Sequence, residues 1–359
     1  MNKKQKDRTI ILDNGEITKA TFPVVVSASR STDIPAFYAD WFFERLKRGY
    51  SAWTNPFNAK NKIYVAYEDT RFIVFWSKNP RPLLNYLDYL REREIGCYIQ
   101  YTLNDYENEG LERGVPPLED RIETFRLLVD KLGKGAVVWR FDPLILTDKI
   151  NLDKLLQKIE YIGDQLQGYT EKLVFSFADI MSYRKVKANL ERNHINYIDW
   201  TEEQMIEFAE KLVRLNKVKG WNYVLATCGE SVDLDGVEHN HCVDDRLMVR
   251  FGYKSKELID FLGAEIINPA YSLFAEIDNI EVPKGAIRLN NNQFAIINKN
   301  NEDKGQRKAC GCMKSKDIGE YNTCPHLCEY CYANASKQAA AMNYKRHKNN
   351  PWDETITGN

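Results

Sequence analysis

An α/β fold, a (β/α) barrel of TIM-like or partial-barrel type, is what the sequence predicts, on three observations. Strand-length runs of continuous apolar residues alternate with segments of helical period, the pattern of a parallel sheet covered on both faces. Most of these runs end in polar or charged residues, as in barrels whose site is built at the carboxyl ends of the strands. No glycine-rich phosphate fingerprint follows the first run, which argues against a dinucleotide-binding sheet.

Residues 22–30 form the first fully apolar run, and Ser31-Thr32-Asp33-Ile34-Pro35 supplies capping chemistry with a proline suited to an early helical turn. The helix expected over 36–48 carries Phe37, Trp41, Phe42 and Leu46 largely on one face. The unit then recurs: strand 71–80 with a leucine-rich helix at 81–93, strand 97–103 with helix 118–132, strand 136–143 with helix 152–166, and strand 172–179 with helix 202–215. A strand at 223–230 closes the series. Six such units would gather Arg30, Lys78, Arg140, Asp142, Cys228 and Glu230 at one mouth. The barrel is expected over 1–265, a polar, asparagine-rich connector with a short hairpin over 266–309, and a cysteine-rich unit over 310–359 packed on the barrel as one domain. In that last unit a short strand at 318–323 would feed a cysteine loop and an alanine-rich helix at 333–345.

Composition sets the class. With 43% hydrophobic and 28% charged residues the chain reads as soluble and globular. No run reaches the roughly 18 apolar residues of a membrane helix, and Met1-Asn2-Lys3-Lys4 leads into no signal-type apolar region, so a cytoplasmic protein without membrane contact is expected. The net charge of −1 gives no global argument for nucleic acid and leaves a local patch open.

Eight cysteines in such a chain point to reduced thiols used for metal or chemistry. Five of them, Cys310, Cys312, Cys324, Cys328 and Cys331, fall within 22 positions. Cys324, Cys328 and Cys331 form a C-x3-C-x2-C run with Tyr330 before the last cysteine, and three thiolates on one tight loop suit an iron–sulfur cluster or zinc. As zinc ligands they would need Cys310 or Cys312 to complete the tetrahedron. On a four-iron cluster they would leave one iron open for a small molecule. The loop resembles that of radical S-adenosylmethionine (SAM) enzymes, although in most of those it follows the first strand.

Further blocks extend the resemblance. Ser27–Pro35, Asn55-Pro56-Phe57-Asn58, Val74–Pro80, Trp139-Arg140-Phe141-Asp142-Pro143 and Cys310-Gly311-Cys312 through Asn334 are similar to the blocks of a bacterial family, the domain of unknown function 1848 (DUF1848) proteins. That family resembles a circularly rearranged relative of radical SAM enzymes such as spore photoproduct lyase. The resemblance implies that the C-terminal unit completes the barrel before the first strand, which is tolerable because the chain ends of a barrel lie close together. It further implies that Cys324, Cys328 and Cys331 ligate a [4Fe-4S] cluster whose open iron binds SAM. A 5′-deoxyadenosyl radical would then abstract hydrogen from an unidentified, small-molecule substrate, with flavodoxin or ferredoxin as electron donor. Arg30, Lys78, Arg140 and Asp142 would hold the SAM carboxylate or a charged substrate, Glu230 would meet the SAM ammonium, and Tyr330 would belong to the cofactor site. Arg140 and Asp142 pairing only with each other is the plainer reading. Two other functions stay open: a barrel with structural zinc or iron–sulfur and no chemistry, and a nucleic-acid repair enzyme of the photoproduct lyase kind.

Cys228, Cys242, Cys310 and Cys312 remain, and they fit a second iron–sulfur cluster, a zinc site, or simple packing. His239 and His241 are further candidate ligands; His326 is expected to be solvated, Cys97 to be packing, and Lys345–Lys348 to be a solvated helix end.

Overall fold

The computed structural model describes residues 8–55, 58–268, 284–289, 293–306 and 309–358. Its centre is an eight-stranded, wholly parallel sheet. In chain order the strands are β1 (Val25–Ala28), β2 (Phe72–Ser77), β3 (Gly96–Thr102), β4 (Val137–Leu144), β5 (Lys172–Phe177), β6 (Val224–Thr227), β7 (Glu238–His239) and β8 (Lys316–Asp317). In space they run β7-β6-β5-β4-β3-β2-β1-β8. The last strand in the chain therefore lies beside the first, with Lys316 and Asp317 in register with Val26 and Ser27.

The continuous apolar runs follow from burial on both faces. Val26, Ala28, Ile73 and Phe75 pack into a core with the helices Ala39–Arg48, Leu118–Leu132, Leu152–Leu166 and Glu202–Lys219. Their neighbours Val25, Phe72, Val74 and Tyr98 point the other way, onto Met248, Val249, Leu258 and Leu262. Those four residues belong to two helices, Asp245–Gly252 and Lys256–Leu262, capped by Asp244 and Ser255. Among the described residues β7 and β8 do not pair, so the sheet is not closed. A closed barrel fills its interior with its own strands' side chains; here the two extra helices cover that second face.

Several boundaries differ from expectation. The helix after β1 breaks at Tyr38, into Ile34–Phe37 and Ala39–Arg48, and the segment after β2 starts as a 3₁₀ turn, Arg81–Asn85. Residues 318–323 are loop, the edge strand being Lys316–Asp317, and the final helix is Lys337–Asn349, capped by the Ser336 hydroxyl, which accepts from the Ala339 N–H at 3.2 Å. His347 is not solvated but packs against Tyr38, with ring centroids 4.6 Å apart. Periodicity missed a four-stranded side sheet of Thr9–Ile11, Ile17–Thr21, Asn58–Ala66 and Tyr50–Asn55, as well as the helix Arg184–Arg192. In the expected connector Ile287–Arg288 pairs antiparallel with Phe294–Ile297, whereas residues 269–283, 290–292 and 307–308, like Pro56 and Phe57, lie outside the described residues.

The end of the chain folds back over the start. Ala52 N–H donates to Glu354 O at 2.7 Å and Trp41 Nε1 to Asp353 O at 2.8 Å. Beneath this strap Glu320 accepts from the Thr54 N–H at 3.2 Å and the Thr357 hydroxyl at 3.4 Å. Burial raises its carboxyl to about 7. A carboxyl raised on folding favours the protonated state, so its contribution is complete below the unfolded value near 4.5 and is lost as pH climbs through about 7. Thermal melts of the wild type should therefore weaken between pH 5 and 8 by at most about 3 kcal/mol. Glu320→Gln, which mimics the protonated group, should flatten that slope; an unchanged slope would remove Glu320 as its source.

Candidate metal and cofactor site

The cysteine loop is seated by what precedes it. Asp317 at the end of β8 accepts from Ser27 Oγ and from the Arg30 N–H, each at 3.0 Å, tying the incoming chain to β1. Gly319 follows at a crossing so tight that a Cβ there would stand 1.8 Å from Ser29 Oγ. Trp53 Nε1 donates to Gly319 O at 2.9 Å. Tyr38 OH donates to Thr323 O at 2.6 Å, immediately before the first cysteine.

Inside the loop the polar side chains are bonded to protein partners. His326, expected in solvent, is 1% exposed, and its Nε2 bonds Asp33 Oδ2 at 2.8 Å while its Nδ1 bonds Gly114 O at 3.0 Å. The reason is Asp33: besides capping its helix through the Ala36 N–H at 3.0 Å, it accepts from Ser77 Oγ and the Lys78 N–H, each at 2.7 Å. Burial would raise its carboxyl, but the bonds from His326, Ser77 and Lys78 outweigh burial and hold it below the usual carboxylate range. Glu329, fully buried, accepts from Lys337 Nζ at 2.5 Å and Asn193 Nδ2 at 2.7 Å. Tyr330 bonds Glu112 through its hydroxyl, which also lies 2.8 Å from Lys78 Nζ and 3.1 Å from Asn104 Nδ2.

With those groups engaged, Cys324, Cys328 and Cys331 face a cavity of about 640 Å³ at the carboxyl ends of the strands, within the usual range for small-molecule sites. Cys228, Cys242, Cys310 and Cys312 line the same cavity. So do Arg30, Lys78, Arg140, Asp142, Glu230 and Tyr330. Among the described residues no three or more His, Cys, Asp or Glu side chains are already drawn together around a metal position. The loop thiols share a wall rather than a point, and burial raises all three, Cys324 to about 12. As a donor set, one buried and two half-buried sulfurs beside open volume fit a soft metal cluster that keeps one position for a ligand.

The charged residues divide by what they already hold. Lys78 donates to Glu112 Oε1 at 2.7 Å, and Glu112 lies at about 2 because Lys78 and Arg121 overcome its burial. That ammonium is engaged by Glu112 and the Tyr330 hydroxyl, although Lys78 borders the cavity. Arg140 pairs with Asp142, Nε to Oδ2 at 3.1 Å, and also donates to Gln100 Oε1 at 3.1 Å and Cys242 Sγ at 3.2 Å. Asp142 accepts from Ser176 Oγ, and Glu230 Oε1 accepts from the Phe177 N–H at 3.1 Å. Arg30 lies over Trp76, 5.4 Å from the ring centroid, and its guanidinium hydrogen-bonds to no other side chain among the described residues. Cys97 is buried packing. His239 bonds Asp233 at 2.7 Å, and neither it nor His241 lines the cavity.

Sequence reading missed Glu112, Asn104 and Gly114. Glu112 bonds partners 34 and 218 positions away, which no local pattern encodes. Gly114 gives a signal only in space: a Cβ there would be 2.6 Å from His326 O and 2.8 Å from Pro325 O, both backbone atoms of the cysteine loop. Gly114→Ala should displace that loop, lower stability by about 1–3 kcal/mol, and reduce metal retained after desalting. Wild-type melting and metal content in this variant would show that the loop has slack.

A family model described as "Domain of unknown function (DUF1848)" matches residues 25–333. No curated protein and no solved structure matches the chain.

Proposed function

Because the chain belongs to the DUF1848 family, with its cysteine loop seated as described, we propose that it is a radical SAM-type enzyme in which Cys324, Cys328 and Cys331 hold a [4Fe-4S] cluster. The observation that carries this reading is the division of labour in the loop. Its three thiols border the cavity together with His326 and Tyr330, and the polar groups of His326, Glu329 and Tyr330 are already bonded to protein partners, which leaves the thiols to take a ligand. When bound, the cluster supplies the electron that cleaves SAM to a 5′-deoxyadenosyl radical able to abstract hydrogen.

The chain's own residues bind, orient and exclude water. Arg30, lining the cavity without a side-chain acceptor of its own, receives the SAM carboxylate by a bidentate contact. Glu230 is held by the Phe177 N–H and faces the SAM ammonium. Arg140 and Asp142, fixed by Gln100 and Ser176, present a paired charge toward a substrate. Lys78 acts from behind, holding Glu112 and Tyr330 and so the loop's posture, rather than binding SAM. In this reading the sheet is a partial barrel and β8 stands in the slot before β1. A small electron-transfer protein of the flavodoxin or ferredoxin kind would reduce the cluster.

Anaerobic reconstitution with iron and sulfide tests this directly. A brown protein with thiolate-to-iron absorption that releases 5′-deoxyadenosine from SAM and dithionite is the expected result. Zinc held by the loop thiols, with no SAM cleavage, would overturn it.

A further inference from the structure

Four thiols outside the cysteine loop meet on the cavity's other wall. Cys228 and Cys242 have sulfurs 3.1 Å apart, Cys312 Sγ accepts from the N–H of Val243, the residue next to Cys242, and Cys310 lines the same cavity two positions away. They come from three separate segments: the end of β6, the turn after β7, and the arm that leads into β8. Two buried and two half-buried thiols gathered on one cavity are a poor use of small apolar side chains. From this set, whose sulfurs line one cavity without yet being drawn around one point, we infer a second centre, a mononuclear four-thiolate site for zinc formed by Cys228, Cys242, Cys310 and Cys312.

The surroundings are built for thiolates. Arg140 Nη1 and Asn240 Nδ2 each donate to Cys242 Sγ at 3.2 Å, and the Val243 N–H donates to Cys312 Sγ at 3.4 Å. Such outer donors are the ordinary support of metal-bound sulfur. The two segments that carry Cys242 and Cys312 are also keyed together, because the Met313 N–H donates to Val243 O at 2.9 Å. Gly311, between Cys310 and Cys312, lies so close to His241 that a Cβ would stand 2.3 Å from its Nε2. The glycine is what lets both flanking sulfurs approach the turn after β7.

Spacing selects the class of metal. Two sulfurs at about 2.3 Å from one tetrahedral ion lie about 3.8 Å apart. The Cys228–Cys242 contact is shorter, so loading spreads that pair by about 0.7 Å. A polynuclear cluster, with irons and sulfides between its cysteines, would force a far larger separation. Binding a closed four-thiolate ion would make metal affinity part of the folding free energy and pin the arm 309–315 to β6, upstream of the strand that delivers the cysteine loop.

The test uses a Cys324→Ala/Cys328→Ala/Cys331→Ala triple variant, so that failure of the first centre and failure of this one are separable. Elemental analysis should find one zinc per chain in that variant and in wild type. Cobalt substitution should give the absorption of a tetrahedral four-thiolate ion. Cys242→Ala, at a buried position, should lose the zinc but also removes core packing, so Cys310→Ser, at a half-exposed position, is the second variant. It should lose the zinc, and its melting temperature should no longer drop on treatment with a chelator as that of the triple variant does. A triple variant free of zinc, or one holding iron with sulfide on these four cysteines, would overturn the proposal.

Discussion

Asp33→Ala is expected to destabilise the protein by about 3–5 kcal/mol and to strip the cysteine loop of its metal. The carboxylate accepts from His326, Ser77 Oγ and the Lys78 and Ala36 N–H groups, and all of this happens out of solvent. Removing it leaves several buried donors unmatched, and the loss of one partner from a buried polar cluster falls in that range. Two consequences separate this from generic damage. The helix Ile34–Phe37 loses its cap while the loop loses the tie between His326 and β2. Asp33→Asn, which keeps acceptor capacity on one oxygen, should restore part of the melting temperature and less of the metal. Urea titrations with iron determination on the same samples read both effects, and a stable variant with full iron content would show that His326 is held by Gly114 alone.

Cys328→Ala should behave in the opposite way, nearly silent in stability and severe in function. The thiol is a small buried group, so its truncation costs about 1 kcal/mol or less beyond the lost methylene-sized contact. As one of the three ligands proposed for the cluster, however, it has no substitute among the loop's side chains, since His326, Glu329 and Tyr330 are bonded elsewhere. Iron retained after reconstitution should fall severely, and SAM cleavage by about 100-fold or more, beyond the 10–100-fold typical of losing an outer-shell partner. Full cleavage by this variant would exclude Cys328 from the reaction.

What could be read from the residues alone follows the physics of burial. Parallel strands packed on two faces write themselves as unbroken apolar runs, which is why β1 to β6 stand close to where Phe22–Arg30, Arg71–Pro80 and their successors pointed. The cysteine loop announced itself by density and spacing. Closure of the sheet was not readable, because counting strand and helix units says nothing about what fills the face away from the main helices. That face is taken by Asp245–Gly252 and Lys256–Leu262, two short helices that periodicity passed over. β8 is only two residues long, too short for any alternation to register, so its expected place slipped to 318–323. His326 was misjudged for a related reason: its partner Asp33 lies 293 positions earlier, and nothing adjacent to the histidine hints at a carboxylate.

The pairing of Lys316–Asp317 with Val26–Ser27 has a consequence for biogenesis. Ribosomes release the sheet's other seven strands first, and the edge beside β1 stays uncovered until residues 316–317 have been made. A polypeptide that stops before residue 316 leaves that edge open and lacks Cys324, Cys328 and Cys331, however well its interior has condensed.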